Sequence, residues 1–360
     1  MKTIFNHFDP ALERCQVLLQ DVSFRGLENY RGRALCLTDE CDIIQIPNTI
    51  DCGWDWITDH YERIGLMHTK QVIWDSSFAR ISEFPEYGHS VFMFTDEAHK
   101  VRSDDVRLRI VDTMNSKNNF VEICGRLGIA TPETVCYLSK DDFHVDDLLF
   151  PVYLKADVSV SGLGVVRCAT PDDLSLHVSR MRQGDKFQVQ QELNALAFVN
   201  LQYRVTNGAL HKVAITEQIL DGNSHNGNVF PSQFDVWSLM DPLAHSMHES
   251  GIKDLFAFDV AITEDGPIAI ECNPRFNGST YPTIAAQKLG IKSWMATNIE
   301  VSVNSFENFS LNGLEYDSET GRGIIVINWG CILNKKLGIL IAGADKEDQM
   351  RILCKAQEIL

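Results

Sequence analysis

The chain has 360 residues, 44% hydrophobic and 22% charged, with a net charge of −17. That length supports two or three packed subdomains with a real core, and the acidic surplus argues against nucleic acid or an anionic membrane as partner, since both need a basic surface. No run approaches the roughly twenty continuous apolar residues of a membrane span. The opening MKTIFNHFDPALERC is too polar for a signal peptide, and ten cysteines without a C-x-x-C pair point to reduced thiols in the cytoplasm rather than disulfides or a zinc site.

Residues 1–112 read as a small α/β layer, with strands expected at 33–37, 42–46, 72–74 and 91–95 and a helix at 55–64. Neither G-x-G-x-x-G nor G-x-x-x-x-G-K-[ST] occurs there, so neither a dinucleotide-binding turn nor a P-loop is supported. Trp54, Trp56 and Trp74 read as core or interface, and His60, His68, His89 and His99 lack ligand spacing. Ser103-Asp104-Asp105 starts a helix with polar caps. A second helix begins near Ser116, with Phe120, Ile123, Cys124 and Leu127 on one face and Gly128 ending it. Lys117 sits in its first turn, against the helix dipole unless an anion is near.

Residues 151–156 form a strand carrying Lys155 at its end. It runs into a Ser/Gly loop, with Ser159, Ser161, Gly162 and Gly164, before the strand 165–168. Glycines let backbone approach phosphates, and N–H and hydroxyl groups donate to them. Thr170-Pro171-Asp172-Asp173 caps the next helix, with Leu174, Val178 and Met181 as its apolar stripe, and 187–191 is a strand. A hairpin follows, residues 197–220, turned by Asn207-Gly208. Its Arg204 and Gln218 face either the site or solvent. Residues 221–232 read as a polar loop, either a substrate-side loop or a surface connection, and 238–251 as a helix.

Residues 256–273 alternate as a second hairpin around Glu264-Asp265-Gly266. A three-residue loop with left-handed Gly266 would pair Ile262 with Ile268, Val260 with Ile270 and Asp259 with Glu271, keeping the large apolar residues on one face. Facing carboxylates repel. A hard cation resolves that conflict, and oxygen ligands with nucleotide phosphates suit Mg²⁺. Asn273 lies two residues along the same face, and Arg275 supplies a fixed cation for phosphoryl oxygens. Residues 283–289 read as a helix. The last sixty residues read as strands 323–329 and 338–341 and a helix 345–360, completing the substrate pocket or a homodimer contact.

Glu271-Cys272-Asn273-Pro274-Arg275-Phe276-Asn277-Gly278-Ser279 resembles the E-x-N-P-R-x-x-G-S signature of ATP-grasp enzymes, and Asp259 matches their other metal-binding acid. Lys117…Gly128-Ile129-Ala130-Thr131-Pro132 and Pro151…Lys155 with its loop resemble the family's two phosphate-contacting lysine blocks. Gln190-Gln191-Glu192-Leu193 resembles its adenine hinge, although Gln190 replaces the commoner Glu and Ala197 falls where a ribose-binding acid is usual. The resemblance spans Lys117 to Ser279. It implies a mixed α/β ATP-grasp fold: an N-terminal α/β domain (1–112), an ATP-grasp domain (113–300, nucleotide lid about 150–195) and a C-terminal segment (301–360). It further implies ATP at Lys117, Lys155, Ser159, Ser161, Gly162, Gly164 and the hinge, with Mg²⁺ or Mn²⁺ on Asp259, Glu271 and Asn273. Arg275 and Lys155 would stabilise the transferred phosphoryl group and Asn277 would border the acceptor pocket. The implied reaction is carboxylate–amine ligation through an acyl-phosphate on small-molecule substrates. Bicarbonate activation, a thiol on a carrier protein, and a non-catalytic ATP-binding protein stay open.

Overall fold

The computed structural model describes residues 2–8, 26–145, 148–159, 164–222 and 224–360. Three sheets organise them. The first is parallel, in the order β3-β2-β1-β4: β1 Thr3–Asn6, β2 Ile43–Gln45, β3 Val72–Ile73 and β4 Gly88–Val91. Its central strand β1 was not anticipated. Residues 33–37 are a correction: they belong to a 3-10 helix, Leu27–Leu37, not a strand. A short apolar run does not by itself distinguish strand from helix, and here tertiary packing decides. A Cβ on Gly32 would meet the Trp329 ring at 2.8 Å, and the Trp329 indole donates to the Gly32 carbonyl at 2.8 Å, so the segment lies flat against residue 329.

The second sheet is small and antiparallel: β5 Thr134–Tyr137, β6 Val152–Ala156, β7 Val165–Cys168 and β8 Phe187–Gln191, ordered β5-β8-β6-β7. One face packs Val152, Leu154, Phe187 and Val189 against Leu174 and Val178 of the helix Pro171–Ser179, making a core of its own. The other face carries Tyr153, Lys155 and Gln190 toward the cavity. The capping box at Thr170 and Asp173 forms as the sequence indicates.

The third sheet has eight strands: β9 Ala195–Thr206, β10 Ala209–Asp221, β11 Ser224–Phe230, β12 Asp254–Thr263, β13 Gly266–Asn273, β14 Trp294–Glu300, β15 Gly323–Asn328 and β16 Lys336–Ala342, ordered β13-β12-β9-β10-β11-β14-β16-β15. Strand β11 corrects the polar loop expected at 221–232. Its Gly227 lies so close to β14 that a Cβ would stand 2.0 Å from the Ala296 carbonyl oxygen, so a small residue admits a strand where composition suggested a loop. Strand β14 was likewise not anticipated. The main core runs from this sheet, through Phe256, Phe258, Ile324 and Ile339, to Ile44 and Val91 of the parallel sheet.

The β12–β13 turn is also a correction. Thr263 pairs with Gly266, a two-residue connection, and the ladder runs Ile262 to Pro267 and Val260 to Ala269 before shifting by one residue. Asp259 nonetheless faces Glu271, because Ile270 is an extra, bulged residue on β13 that restores the pairing. The three-residue turn and the bulge each add one residue to the same side, so the two differ in register along the outer strand and coincide at the carboxylates.

Candidate active site

The three sheets and the helix Thr280–Leu289 line an open cavity of about 1130 Å³, larger than the roughly 300–1,000 Å³ of a usual small-ligand pocket. Strands β12 and β13 bring Asp259 and Glu271 side by side in its wall, and the bulge turns Ile270 into it as well. Asp259 Oδ1 accepts from the amides of Asn200 and Gln218, both at 2.7 Å, and Oδ2 accepts from Asn273 at 2.9 Å. Gln218 therefore faces the site rather than solvent. Burial, and then the adjacent Glu271 charge, push the Asp259 carboxyl up. Burial acts on Glu271 in the same direction, but the charges of Lys117, Lys155 and Arg275 outweigh it and hold Glu271 down to about 2.

Lys117 is buried, with Nζ 2.6 Å from Glu271 Oε2, so it is no solvated surface lysine. Its helix, Lys117–Leu127, starts at a Ser116 cap. The awkward cation in the first turn is offset by Asp157: its carboxylate accepts from the Ser116 hydroxyl at 2.7 Å and the Asn118 N–H at 3.0 Å, placing negative charge at the helix start. Lys155 is 9% exposed and donates to Gln190 Oε1 at 2.5 Å. Burial lowers it to about 8, against the pull of Glu271. Gln190 in turn donates to Thr134 at 3.1 Å. Gln rather than Glu here means a neutral acceptor fixes Lys155, leaving its charge uncancelled at that contact.

Beyond Lys155, Ser159 is buried against the cavity, and Gly164, at φ 75°, accepts from the Ala156 N–H at 2.9 Å and closes the loop's far end. Ser161 and Gly162 lie outside the described residues. At the hinge, the Gln191 N–H donates to the Glu133 carbonyl at 2.8 Å, and the Glu192 carboxylate takes two bonds from Arg167, at 2.6 and 2.9 Å. The Glu192 N–H also donates to the Pro151 carbonyl at 3.3 Å, which leaves the backbone carbonyl rather than the side chain for Glu192 to offer a ligand. Leu193 lines the cavity, and its backbone makes no hydrogen bond among the described residues.

Arg275 is buried, its guanidinium carbon 5.6 Å from the Phe92 ring centre, and its Nε has no hydrogen-bond partner among the described residues. The loop carrying it is fixed by the Phe276 N–H donating to the Phe92 carbonyl at 3.0 Å. Asn277 does not point an idle amide at the cavity. Its Oδ1 accepts from Ser279 and Thr280, and its Nδ2 donates to Asn200 at 3.2 Å. It ties the start of the helix Thr280–Leu289 to the Asn200 that holds Asp259.

Several cavity residues had no signal in the sequence. His7, at the end of β1, contacts Tyr281 Oη (2.9 Å) and Ser90 Oγ (3.0 Å). Burial, then Arg33 and His89, hold it well below the ordinary histidine range, so it is neutral. Arg33 and Phe92 also come from the N-terminal unit. Lone residues on three separate segments form no motif. A parallel sheet does place the ends of β1 and β4 together, where ligands bind in such folds, but that required knowing β1.

Asp259, Glu271 and Asn273 form an oxygen-rich set that fits Mg²⁺ or Mn²⁺: Asn273 spends its Nδ2 on Asp259, which leaves Oδ1 as its ligand atom. Among the described residues no group of three or more His, Cys, Asp or Glu is placed to hold a metal, so amide oxygen, phosphate and water would complete the shell.

No protein-family model and no curated protein matches the sequence. Solved structures do. N5-carboxyaminoimidazole synthetase from Staphylococcus aureus, complexed with ADP, is similar with a TM-score of 0.62 at 11% identity, over 99% of this chain and 96% of that one. N5-carboxyaminoimidazole ribonucleotide synthetase from Thermus thermophilus is similar with a TM-score of 0.63 at 13% identity, over 92% and 97%. The biotin carboxylase domain of Hydrogenobacter thermophilus 2-oxoglutarate carboxylase, with MgADP, ADP and bicarbonate, gives 0.56 at 12%, over 99% and 89%. The chain has the ATP-grasp fold. The likeness runs through all three sheets, beyond the Lys117–Ser279 stretch that carries the motifs. Among the described residues no helix is long and apolar enough to cross a membrane.

Proposed function

We propose that this protein is an ATP-dependent carboxylate–amine ligase that works through an acyl-phosphate and releases ADP and phosphate. One observation carries the reading: two facing carboxylates, Asp259 and Glu271, line one cavity with two cations, Lys155 and Arg275, and a third buried cation, Lys117, is ion-paired to Glu271. That combination suits a polyphosphate and its metal and little else in so acidic a protein. When bound, Mg²⁺ or Mn²⁺ would neutralise phosphate charge, held by Asp259, Glu271 and Asn273. Lys155 and Lys117 neutralise the phosphates, and Arg275 stabilises the transferred phosphoryl group, so catalysis is positioning and electrostatics. The backbone around Gln190, Gln191, Glu192 and Leu193 receives adenine. Ser159, Ser161, Gly162 and Gly164 supply phosphate donors and help keep water from the acyl-phosphate. Asn277 acts through Asn200 and the helix Thr280–Leu289, as a positioning residue.

In this reading the chain divides at 112 and 300, with the lid at about 150–195. Its substrates are a small carboxylate and an amine, in a cytoplasmic protein, and the 301–360 unit completes the pocket or a homodimer contact. A second reading has bicarbonate as the activated carboxylate, favoured by the likeness in fold to a biotin carboxylase domain with bicarbonate bound. The test is ADP release with Mg-ATP across pools of amino acids, other small carboxylates, amines, bicarbonate and carrier-protein thiols. Acceptor-dependent ADP together with a new amide mass supports the ligase. Tight ATP binding with no ADP from any pool overturns it in favour of a non-catalytic ATP-binding protein.

A further inference from the structure

Arg33 is 8% exposed and lines the cavity, yet its side chain makes no hydrogen bond and no ion pair among the described residues, and its Nε is buried without a partner. Aromatic rings hold it instead. The guanidinium carbon is 4.3 Å from the centre of the Tyr281 ring and 4.9 Å from that of Phe92, with Tyr30 at 5.6 Å. Ring faces attract and orient a guanidinium without consuming its donors. The support beneath is rigid: Gly32 is pressed on Trp329, and the Cys36 thiol reaches the Tyr281 carbonyl at 3.6 Å. Phe92 carries Arg33 as well as Arg275. A buried cation without a counter-charge is costly, so a structure that immobilises one in a cavity wall is built to receive an anion.

We propose that Arg33 anchors an anionic group, carboxylate or phosphate, on a substrate other than ATP. The inference rests on the ligase reading for the word substrate and on the cavity geometry alone for the anion. Five N–H donors in a planar fork suit bidentate binding of a planar or tetrahedral oxyanion. One of the two molecules joined would then carry an anionic group that does not react.

The test uses the wild-type protein labelled with ¹⁵N-arginine and saturated with Mg-ADP, so that nucleotide phosphate positions are filled. Inorganic phosphate and acetate are titrated separately while the Arg33 Nε–H resonance, assigned by its loss in R33K, is followed. A saturable shift with phosphate marks a phosphate anchor, and one with acetate a carboxylate anchor. R33M should then weaken that anion at least about tenfold, as loss of a charge-assisted bond predicts. No shift with either anion overturns the proposal, as does a shift only when ADP is omitted. Should R33K not fold, phosphate- and acetate-soaked wild-type crystals with Mg-ADP give the same reading: an anion on the guanidinium supports the anchor, and a bare guanidinium overturns it. Failure of the ligase reading looks different, since ADP release would be absent while the Arg33 shift persists.

Discussion

The Asp157 carbonyl accepts the Lys117 N–H at 2.8 Å, across forty residues of sequence. Its carboxylate meanwhile caps the same helix through Ser116 and Asn118. Asp157 lies two residues beyond Lys155, so one residue registers Lys117 and Lys155 to each other. Asp157→Ala removes the carboxylate cap, which is worth roughly 1–2 kcal/mol. It should lower the melting temperature and weaken ATP binding together. An unchanged nucleotide Kd in a protein with a lowered melting temperature would show that the cap supports only the helix.

Lys155 is brought down to about 8 by burial, and phosphates would draw its proton back. Below pH 8 the cation is already present. Above it, ATP binding must take up a proton, so affinity should fall as pH rises, and calorimetry in buffers of different ionisation enthalpy should detect that uptake. The stability sign is opposite. The folded value lies below the unfolded value of about 10.4, so the buried charge costs stability in full below pH 8, and the cost shrinks as pH rises from there to the unfolded value, above which it is gone. Lys155→Met should therefore leave the melting temperature at neutral pH unchanged or raised while weakening ATP binding more than about tenfold. A melting temperature several degrees lower would contradict this.

Asp259 has its carboxyl raised by burial and by Glu271, so a divalent cation must compete with a proton there. Mg²⁺ binding to the ADP complex should weaken as pH falls through neutrality, higher than an ordinary carboxylate would require, and should release protons. Asp259→Asn should abolish that dependence. A flat Mg²⁺ affinity across this range in the unaltered protein would count against the assignment.

Glu271 pairs with Lys117 and faces Asp259. Glu271→Gln removes a proposed metal ligand and leaves Lys117 buried without its counter-charge. Turnover should vanish, with a modest loss of stability of about 1–3 kcal/mol and a circular dichroism spectrum like that of the unaltered protein. Retained ADP release would remove Glu271 from the metal site.

Asn277 is already engaged by Ser279, Thr280 and Asn200. Its replacement by Ala should reduce kcat and destabilise the fold by about 1–2 kcal/mol, as loss of a helix cap does. The KM for ATP should change little. A raised acceptor KM at constant kcat would instead mean that Asn277 touches substrate directly.

The parts of the site legible in the sequence were those in which chemistry and local structure coincide. Asp259 and Glu271 could be set opposite each other because strand alternation and a short turn leave few registers, and the structure keeps that pairing although the turn and bulge differ. Lys155 ended a clear apolar strand. What escaped depended on contacts distant in sequence. Residues 33–37 are apolar enough for a strand, but they end a 3-10 helix whose Gly32 packs against Trp329, a contact distant in sequence. Residues 224–230 look like a loop because Asn and Gly dominate, and only the close approach of Ala296 shows why a strand needs that glycine. His7, Arg33 and Phe92 carry no pattern because each comes from a separate piece of the parallel sheet's rim.

The Trp329 indole and the Gly32 carbonyl lie 297 positions apart. As the chain emerges from the ribosome, the Trp329 support beneath Gly32 cannot exist until nearly the whole of the chain has been made. Synthesis takes some tens of seconds at about 5–20 residues per second. During that interval the small antiparallel sheet, whose core is its own, can fold, and the Asp259–Glu271 hairpin can form after it, while the segment carrying Arg33 still lacks its Trp329 backing. A truncated product ending before residue 329 would thus hold Asp259, Glu271 and the rings around Arg33 without the Trp329 backing, and the last strands set when that backing is completed.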